Sequence, residues 1–409
     1  MVCYTTAGRK RTGHQQPHHS AVCKHPQCIW SHSHILLDAI WLRRVVPYRW
    51  EQEKEEGETK EEDEEEIEKW RRNRRRGQDV IFSKDNTLSD MNTIGLTILV
   101  RMGNCLCARE TIEINGNKYY IRDCIGEGGF STVVLVESAI SHKLYALKRI
   151  TCHAQTDEKV ALSEVEFHKA LCHPNIVECI DSDLVGVPDL VGNKTSQVLI
   201  LLPYFPRGTL HDELIRRQET NTPLEETTVL TTFRGICEAI LCMHSAKPHA
   251  LAHRDIKTAN VLLKEDFTPV LMDLGSTARA RVEVNGSSDA RKLQDEAAEK
   301  SSMAYRAPEL FNVEAFCHID ERTDVWSLGC LLYALCFYKS PFEAVYERGD
   351  SVALAVVSGN IKVPDTHPFS KDVIELIESL LKVNPEERPY VDWIVNSVDQ
   401  LINKSAGAV

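Results

Sequence analysis

The chain has 409 residues, of which 43% are hydrophobic and 26% charged, and its formal net charge at pH 7 is −12. This composition is typical of a globular protein; no basic stripe suggests a nucleic-acid partner, and no run reaches the roughly 18 apolar residues that a membrane-spanning helix needs. The 14 cysteines follow no regular framework and no secretory signal is visible at Met1, so reduced thiols in the cytoplasm are expected.

Residues 1–101 look like a low-complexity, disordered extension. An acidic run at Glu51–Glu68 is followed by a basic run at Arg71–Arg76, and blocks of like charge are usually disordered. Two interpretations are open: a regulatory extension, or translated upstream sequence in a gene model whose natural product starts at Met102. The lack of a repeat or a recognised motif favours the second.

At Met102 the sequence changes character and reads MGNCLCARE. If Met102 is the first residue, Gly103 becomes a candidate for myristate, although Cys107 stands where the motif prefers serine or threonine. Cys105 and Cys107 are then candidates for palmitate, because one myristoyl chain alone gives only marginal membrane binding. If translation starts at Met1, Gly103 has no free amine and the cysteines are ordinary linker thiols.

A glycine-bearing turn follows at Ile125–Val133, which reads IGEGGFSTV. Gly126 and Gly128 lack the side chains that would keep backbone N–H groups away from phosphate oxygens. Ser131 stands where a third glycine is usual, and its small side chain still lets the loop close. Taken alone, the segment is equally consistent with an ordinary hairpin turn.

The next predicted strand carries YALKR and ends near Lys148. Its ammonium group can reach the α- and β-phosphates of a nucleotide and needs a carboxylate to position it. Glu164 is the expected partner, in an amphipathic run from about Glu158 to Leu171 that an HPNI turn ends. Glu166 points elsewhere on a helix. The alternative is that both glutamates are solvated surface charges.

Residues His253–Asn260 read HRDIKTAN, which resembles the catalytic loop of protein kinases in its spacing of acid, lysine and asparagine. The resemblance implies that Asp255 orients a substrate hydroxyl and accepts its proton, that Lys257 neutralises the moving phosphoryl group, and that Asn260 holds Mg²⁺. Histidine and aspartate also occur together in ordinary capped loops, so the other motifs must decide.

Asp273 opens the sequence DLG, where its carboxylate would hold Mg²⁺ against the β- and γ-phosphates. Gly275 would let the following loop turn, and Leu274 would fill the apolar slot of the commoner phenylalanine. Further along, Glu309 in APE and Arg388 in EERP are expected to form a buried pair that stabilises the fold and takes no part in chemistry.

These motifs together resemble the eukaryotic protein kinase family across roughly Thr111–Leu401. The resemblance implies an α+β, two-lobed fold, with a small β-rich lobe at about 111–203 and a larger, mainly helical lobe at about 204–402. Residues 102–110 would be the acylation segment, 111–402 the kinase domain and 403–409 a short tail.

The family resemblance also implies ATP and Mg²⁺ as cofactors. Leu202–Phe205 looks like the hinge, where the Pro203 carbonyl and the Phe205 N–H would meet an adenine edge. Val133, Ala146 and Leu262 would sandwich the ring, with plain core packing as the alternative. The expected nucleotide-binding set is Ile125, Gly126, Gly128, Ser131, Val133, Ala146, Lys148, Glu164, Pro203, Phe205, Leu262 and Asp273.

Two features resemble the serine/threonine branch of the family more than the tyrosine branch. Lys257 follows Asp255 by two residues, and Ser302 precedes Glu309 by seven. A Ser302 hydroxyl that bridges Asp255 and Lys257 would narrow the site for a short alcohol side chain. The expected partners are therefore protein substrates with Ser or Thr acceptors. In the DVWSLGC motif, Asp324 is expected to brace the catalytic loop.

The segments GEGGFS, LLPYFPRGTL, PVLMDLGS and GDSVALAV further resemble the Numb-associated kinase family, and within it a myristoylated and palmitoylated branch. This resemblance implies a lipid-anchored cytoplasmic enzyme, peripheral on Golgi and perinuclear membranes, with a role in secretory or vesicle traffic. The alternative function is a membrane scaffold without phosphotransfer. The presence of Lys148, Asp255, Asn260 and Asp273 argues against it, because a scaffold has no need of magnesium ligands.

The Numb-associated family has a long activation segment, here Asp273–Glu309. Within it, SDARKLQDEAAEK at Ser288–Lys300 offers a capping residue followed by strong helix formers. A helix here is expected to order the segment without phosphate and to give basal activity. Alternatively, Arg254 would bind a phosphoserine, with the candidates Ser287, Ser288 and Ser301.

Overall fold

The structure is a computed structural model that describes residues 110–129, 131–186 and 195–406. The candidate acylation residues Gly103, Cys105 and Cys107 lie outside these ranges. Among the helices in the described ranges, none is long and apolar enough to cross a membrane.

A six-stranded antiparallel sheet forms the amino-terminal lobe, in the order β1-β2-β3-β4-β6-β5. Its strands are β1 (Thr111–Ile114), β2 (Asn117–Glu127), β3 (Ser131–Ser138), β4 (Leu144–Cys152), β5 (Asp181–Val185) and β6 (Ser196–Pro203). Lys148 lies in the interior of β4, not at its end as predicted. The reason is that β4 keeps pairing with β6 beyond Lys148, as far as Cys152 opposite Ser196.

The two faces of this sheet bury different apolar clusters. Successive side chains of a strand point to opposite faces, so Leu199 and Leu201 of β6 pack in one cluster. Val198 and Ile200 pack in the other, together with side chains of helix α1 (Gln155–Ala170). The alternation therefore fixes α1, the helix that carries Glu164, to one face of the sheet.

Helix α1 begins at Gln155, three residues before its predicted start. Asp157, in the first turn, accepts hydrogen bonds from the backbone N–H groups of His153 and Ala154, both at 3.0 Å. These bonds stabilise the start of the helix from within. The position just before the helix is an alanine, which gives no capping signal in the sequence.

The carboxy-terminal lobe is mainly helical. Its helices are α2 (Leu210–Thr220), α3 (Glu226–His244), α4 (Ser287–Lys300), α5 (Arg322–Phe337), α6 (Glu343–Glu347), α7 (Val352–Ser358), α8 (Lys371–Leu380) and α9 (Val391–Ala406). Three short ladders accompany them: β7 (Leu251–Ala252) with β10 (Ala278–Arg279), β8 (Val261–Leu263) with β9 (Pro269–Leu271), and β11 (Val282–Asn285) with β12 (Phe316–Ile319). The predicted two-lobed α+β architecture is confirmed.

Helix α5 forms the centre of this lobe, because every residue from Thr323 to Cys336 is buried. A helix that is buried on all sides is a core element. Gly329 lets it pack closely, since a Cβ there would lie 2.8 Å from the Leu381 side chain. Asp324, near the start of α5, is thereby held in a fully buried position.

The helix expected in the activation segment forms as α4 and begins one residue earlier, at Ser287. It buries Ala290, Leu293 and Ala297, which lie on one face because they are three and four residues apart. Tertiary packing of this face holds the helix, and basal activity without phosphorylation stays a prediction.

Candidate active site

The loop between β7 and β8 is held by one buried carboxylate. Asp324 accepts hydrogen bonds from the backbone N–H groups of His253, at 2.8 Å, and Arg254, at 3.0 Å. His244 Nε2 lies 3.0 Å from the same carboxylate. Burial would raise the pKa of Asp324, but its hydrogen bond with His244 and the nearby positive charge lower it below the ordinary value. Asp324 therefore stays charged, and His244 is a supporting residue that no motif singled out.

The loop brings Asp255, Lys257, Asn260 and Ser302 together. Asn260 Nδ2 donates to the Asp255 carbonyl at 2.8 Å and to Asp255 Oδ2 at 3.0 Å. Lys257 Nζ lies 3.1 Å from Asp255 Oδ2 and donates to Ser302 Oγ at 2.7 Å. The Ser302 N–H donates to Asp255 Oδ1 at 2.8 Å. These contacts fix the orientation of the Asp255 carboxylate.

The bridge predicted for Ser302 exists in a different form. Its backbone amide contacts Asp255 and only its hydroxyl contacts Lys257, so the hydroxyl does not span both groups. A backbone contact to Asp255 does not depend on the side chain at position 302. The sequence could not reveal the backbone contact, because the identity of a residue does not determine the direction of its backbone N–H group.

Lys148 lies between two carboxylates. Its Nζ donates to Glu164 Oε1 at 2.7 Å and to Asp273 Oδ1 at 2.8 Å. Burial would lower the pKa of Lys148, but the fields of Asp273 and Glu164 outweigh burial and raise it well above its usual range. The charge of Lys148 in turn holds the pKa of Asp273 well below its usual range. Lys148 and Asp273 are therefore both charged at neutral pH.

The structure gives a steric reason for the glycine at position 275 in DLG. A Cβ at Gly275 would lie 3.1 Å from Glu164 Oε2 and 3.4 Å from Asp273 Oδ1, which crowds both carboxylates. Leu274 beside it is fully buried, as expected for a side chain that fills an apolar slot.

The contact between Lys148 and Glu164 can be tested by substitution of Glu164, with the nearby Glu166 as the control. Replacing Glu164 by glutamine keeps an acceptor oxygen for Lys148 but removes the carboxylate, and so weakens a contact of a class typically worth about 1.5–3 kcal/mol. We expect kcat/KM for ATP to fall roughly 10–100-fold. Glu166 is exposed on the same helix, so Glu166→Gln should leave kcat/KM unchanged. Equal effects of the two substitutions would show that Glu164 has no special role.

Most of the predicted nucleotide-binding residues lie on strands of the sheet that contains Lys148. The structure places Ile125 and Gly126 on β2, Ser131 and Val133 on β3, Ala146 on β4, Pro203 at the end of β6 and Leu262 on β8. Gly126 pairs with Val133, and Val133 pairs with Lys148. The Gly128 N–H donates to the Ser131 carbonyl at 2.7 Å, which closes the glycine-bearing hairpin. A Cβ at Gly128 would lie 3.1 Å from Ser131 Oγ.

The residues predicted to meet an adenine edge, Pro203 and Phe205, lie at and just beyond the end of β6. Ala146 pairs with Leu202 and Tyr145 with Pro203, so the small Ala146 side chain belongs to the strand next to the predicted hinge. Beyond the strand, the Phe205 carbonyl accepts the Gly208 N–H at 3.1 Å, and Gly208 has a φ of +82°. This turn directs the chain into α2.

The donor set fits the magnesium ion that the family implies. Asp273 supplies a carboxylate and Asn260 an amide carbonyl, and such oxygen donors suit Mg²⁺. Lys148 contacts Asp273 through Oδ1, and Asp255 holds the amide nitrogen of Asn260. These contacts leave Asp273 Oδ2 and Asn260 Oδ1 as the donors for the ion. Mg²⁺ would neutralise phosphate charge during transfer.

Arg254, the alternative site for a phosphoserine, contacts two backbone carbonyls. Arg254 Nη2 donates to the carbonyls of Arg279, at 3.2 Å, and Ala280, at 3.4 Å, and burial lowers its pKa. Ser301 contacts Arg306 instead, whose Nε donates to Ser301 Oγ at 2.8 Å. The sequence analysis missed Arg306, because the spacing within YRAPE gives no sign of a contact five residues upstream. Arg254 Nε has no hydrogen-bond partner among the described residues, and the phosphoserine alternative stays a prediction.

Comparison with known proteins agrees with this geometry. The family model of the protein kinase domain matches residues 119–398. Serine/threonine-protein kinase 16 of Rattus norvegicus is 41% identical over 297 residues, which cover 73% of this chain and 94% of the relative. The Homo sapiens protein of the same name matches with the same identity and coverage. Serine/threonine-protein kinase ppk13 of Schizosaccharomyces pombe is 31% identical over 326 residues, covering 72% of this chain and 94% of that protein.

Proposed function

This chain belongs to the protein kinase family, and we propose that it transfers the γ-phosphoryl group of ATP, bound with Mg²⁺, to protein Ser and Thr hydroxyls through Asp255, Lys257, Asn260 and Asp273. That it is a protein serine/threonine kinase follows from its relatives. The assignment of roles rests chiefly on one observation, the joint contact of Asp255 with Lys257, Asn260 and Ser302.

Asp255 is suited to act on a substrate hydroxyl. Each of its carboxylate oxygens already accepts at least one donor, which sets the orientation of the group, and a carboxylate oxygen has a second lone pair for a further proton. Lys257, beside it, can stabilise negative charge on the transferring group. Because these side chains are already in place before the reaction, they need not reorganise in the transition state, and the activation free energy is lower.

Lys148 and the glycine-bearing hairpin are suited to position the nucleotide. Lys148 is charged and fixed by Glu164 and Asp273, so it can orient phosphates with little loss of side-chain entropy. The hairpin lies next to it, because Val133 pairs with both Gly126 and Lys148. A scaffold would gain nothing from gathering the ionisable side chains of Lys148, Glu164 and Asp273 around one point, since burying such groups is costly. The geometry therefore supports phosphoryl transfer over scaffolding.

The proposal extends to a membrane anchor for a product that starts at Met102. The observation behind it is the segment MGNCLCARE, in which Gly103 would carry myristate and Cys105 and Cys107 palmitate. Two acyl chains give stable binding where one does not. The resemblance to the Numb-associated kinases supports a place on Golgi and perinuclear membranes and a role in secretory or vesicle traffic.

Intact mass of the protein from its native cells tests the anchor. We expect a species that starts at Gly103, with a myristoyl addition that survives hydroxylamine and a palmitoyl addition that hydroxylamine removes. Gly103→Ala should abolish myristoylation and move the enzyme from the membrane to the soluble fraction. Cys124→Ser changes an exposed cysteine of β2 and should alter neither. A species that retains residues 1–101 would contradict the anchor, because Gly103 would then be internal.

A further inference from the structure

A cavity of about 300 Å³ lies where α3 ends and the loop after it meets the start of the activation segment. The loop side provides His244, Lys247 and His249, and the activation segment provides Arg279 and Arg281. The other lining residues are two alanines and a proline, so none of the described carboxylates lines the cavity. Five basic side chains around one cavity, here called the basic pocket, create a potential that attracts anions.

Three of these side chains are available to a ligand. Lys247, His249 and Arg279 are exposed, and their side chains make no hydrogen bond or ion pair within the described ranges. Arg281 differs, because its Nε and Nη2 donate to the Glu321 carboxylate at 2.9 and 2.6 Å. The charge of Arg281 is thus compensated, and the attraction for an anion comes mainly from Lys247 and Arg279.

The basic pocket also contains a buried ring nitrogen without a partner. The His244 side chain is only 4% exposed, and its Nε2 is used by Asp324 at 3.0 Å. Its Nδ1 is buried and has no hydrogen-bond partner among the described groups, whereas buried polar atoms nearly always have one. A phosphate group suits this nitrogen, because its oxygens accept from a charged ring and its P–OH donates to a neutral one.

Neither the end of the helix nor the catalytic loop explains this cluster. The C-terminus of a helix attracts cations, which is a reason for Lys247 just after α3. That attraction fades beyond the last turn and does not gather Arg279 from a distant segment. Arg254 does not line the cavity, and its Nη2 donates to the carbonyls of Arg279 and Ala280. The basic pocket is therefore separate from the alternative phosphoserine site.

We propose that the basic pocket binds a small anion with several phosphates, of the kind carried by an inositol ring. Its volume is in the range of small-molecule sites, and its cations come from two segments, so they can meet phosphates on different sides of one ring. A phosphopeptide brings an extended backbone that needs a groove or a sheet edge, whereas these cations surround one cavity. A free inositol phosphate and the headgroup of a phosphoinositide lipid share this chemistry.

Calorimetric titration of the full chain with inositol hexakisphosphate tests the proposal, with an ATP analogue present to fill the nucleotide site. We expect saturable binding that weakens as the salt concentration rises, because salt screens exposed charges. The double variant Lys247→Ala, Arg279→Ala should bind at least about tenfold more weakly, since it loses two charge-assisted contacts. Lys118→Ala with Lys143→Ala removes two exposed charges from the amino-terminal lobe and should bind like the wild type.

Two outcomes of this titration would overturn the proposal. One is the absence of saturable binding, which would mean that only water occupies the basic pocket. The other is equal affinity of the pocket variant and the control variant. Lys247 and Arg279 are exposed, so the pocket variant should fold, with an unliganded melting temperature like that of the wild type. The ligand should raise the melting temperature of the wild type more than that of the pocket variant.

Vesicle binding distinguishes the two sources of the phosphates. The full chain made in bacteria carries no acyl chain, and it is mixed with phosphatidylcholine vesicles that contain phosphatidylinositol bisphosphate. Retention that the pocket variant loses, and that phosphatidylserine of equal surface charge does not reproduce, identifies the lipid headgroup. Binding of the soluble compound alone identifies a free inositol phosphate. A phosphoserine peptide that binds more tightly than inositol hexakisphosphate would refute the small-molecule ligand.

Discussion

Replacing Asp255 by asparagine is expected to lower kcat by about 10²–10⁴-fold, the usual range for a lost general base, while ATP binding stays near normal. The carboxamide has the size of the carboxylate but cannot take a proton from a substrate hydroxyl. Lys148, Glu164 and Asp273, which are proposed to position the nucleotide, are held together by hydrogen bonds of Lys148, and Asp255 takes no part in these bonds.

The substitution should leave the fold intact. Asp255 accepts through Oδ1 from the Ser302 N–H and through Oδ2 from Asn260, with Lys257 nearby. Asparagine keeps one acceptor oxygen. The donor that faces its NH₂ group in place of the second oxygen loses its hydrogen-bond partner. The cost of this local mismatch is on the order of 1–3 kcal/mol, which a stable domain tolerates.

Steady-state phosphorylation of a protein substrate and direct binding of an ATP analogue measure the two quantities separately. Asp266→Asn makes the same chemical change in an exposed turn and serves as the control, with kcat unchanged. Wild-type kcat in Asp255→Asn would remove Asp255 from its proposed role. Loss of nucleotide binding together with activity would point to a collapsed site.

Replacing Arg388 by methionine is expected to destabilise the folded protein by about 3–5 kcal/mol, the cost of leaving a buried charge without its partner. The melting temperature should fall by roughly 10 °C. Arg388 Nη1 and Nη2 donate to Glu309 Oε1 and Oε2, both at 2.8 Å, and the Arg388 side chain is 0% exposed. The predicted buried pair is therefore present as a bidentate contact.

Every N–H group of this guanidinium has an acceptor. Besides Glu309, Arg388 donates to the carbonyls of Lys382, Arg322 and Val383, at 2.7, 2.8 and 3.0 Å. Its carbon Cζ lies 5.2 Å from the Trp326 ring centroid, within cation–π range. Lysine has three donors and no planar fork, so Arg388→Lys should also destabilise the fold.

Thermal and urea unfolding of the variants provide the measurement. Arg348 pairs with Asp350 at the surface, where their side chains are 61% and 59% exposed, and exposed pairs contribute only about 0–1 kcal/mol. Arg348→Met is thus the matched control, with little expected shift. An Arg388→Met protein as stable as this control would mean that water or other groups satisfy Glu309.

The sequence by itself identified the residue types and their order. The glycines of IGEGGFSTV, the lysine of YALKR, the HRDIKTAN loop and the DLG of Asp273 are local patterns whose residue types limit their chemistry. Glu309 and Arg388 were expected to pair from their motifs, APE and EERP, although they lie far apart in the chain. The helix predicted at Ser288–Lys300 was accessible for a similar reason, because helix propensity acts over neighbouring residues. The predicted side-chain cap is absent, since the helix begins at Ser287 after Gly286. The start of α1 was misplaced since its cap comes from Asp157, inside the helix.

Only the tertiary structure decided which groups meet. Lys148 and Asp273 are 125 positions apart, and no spacing rule says that one ammonium serves two carboxylates. The same holds for the Ser302 amide on Asp255 and for Arg306 on Ser301. Sequence patterns fix chemistry and helix or strand face over a few residues, whereas contacts across the chain depend on how the sheet, α1 and the helical lobe pack.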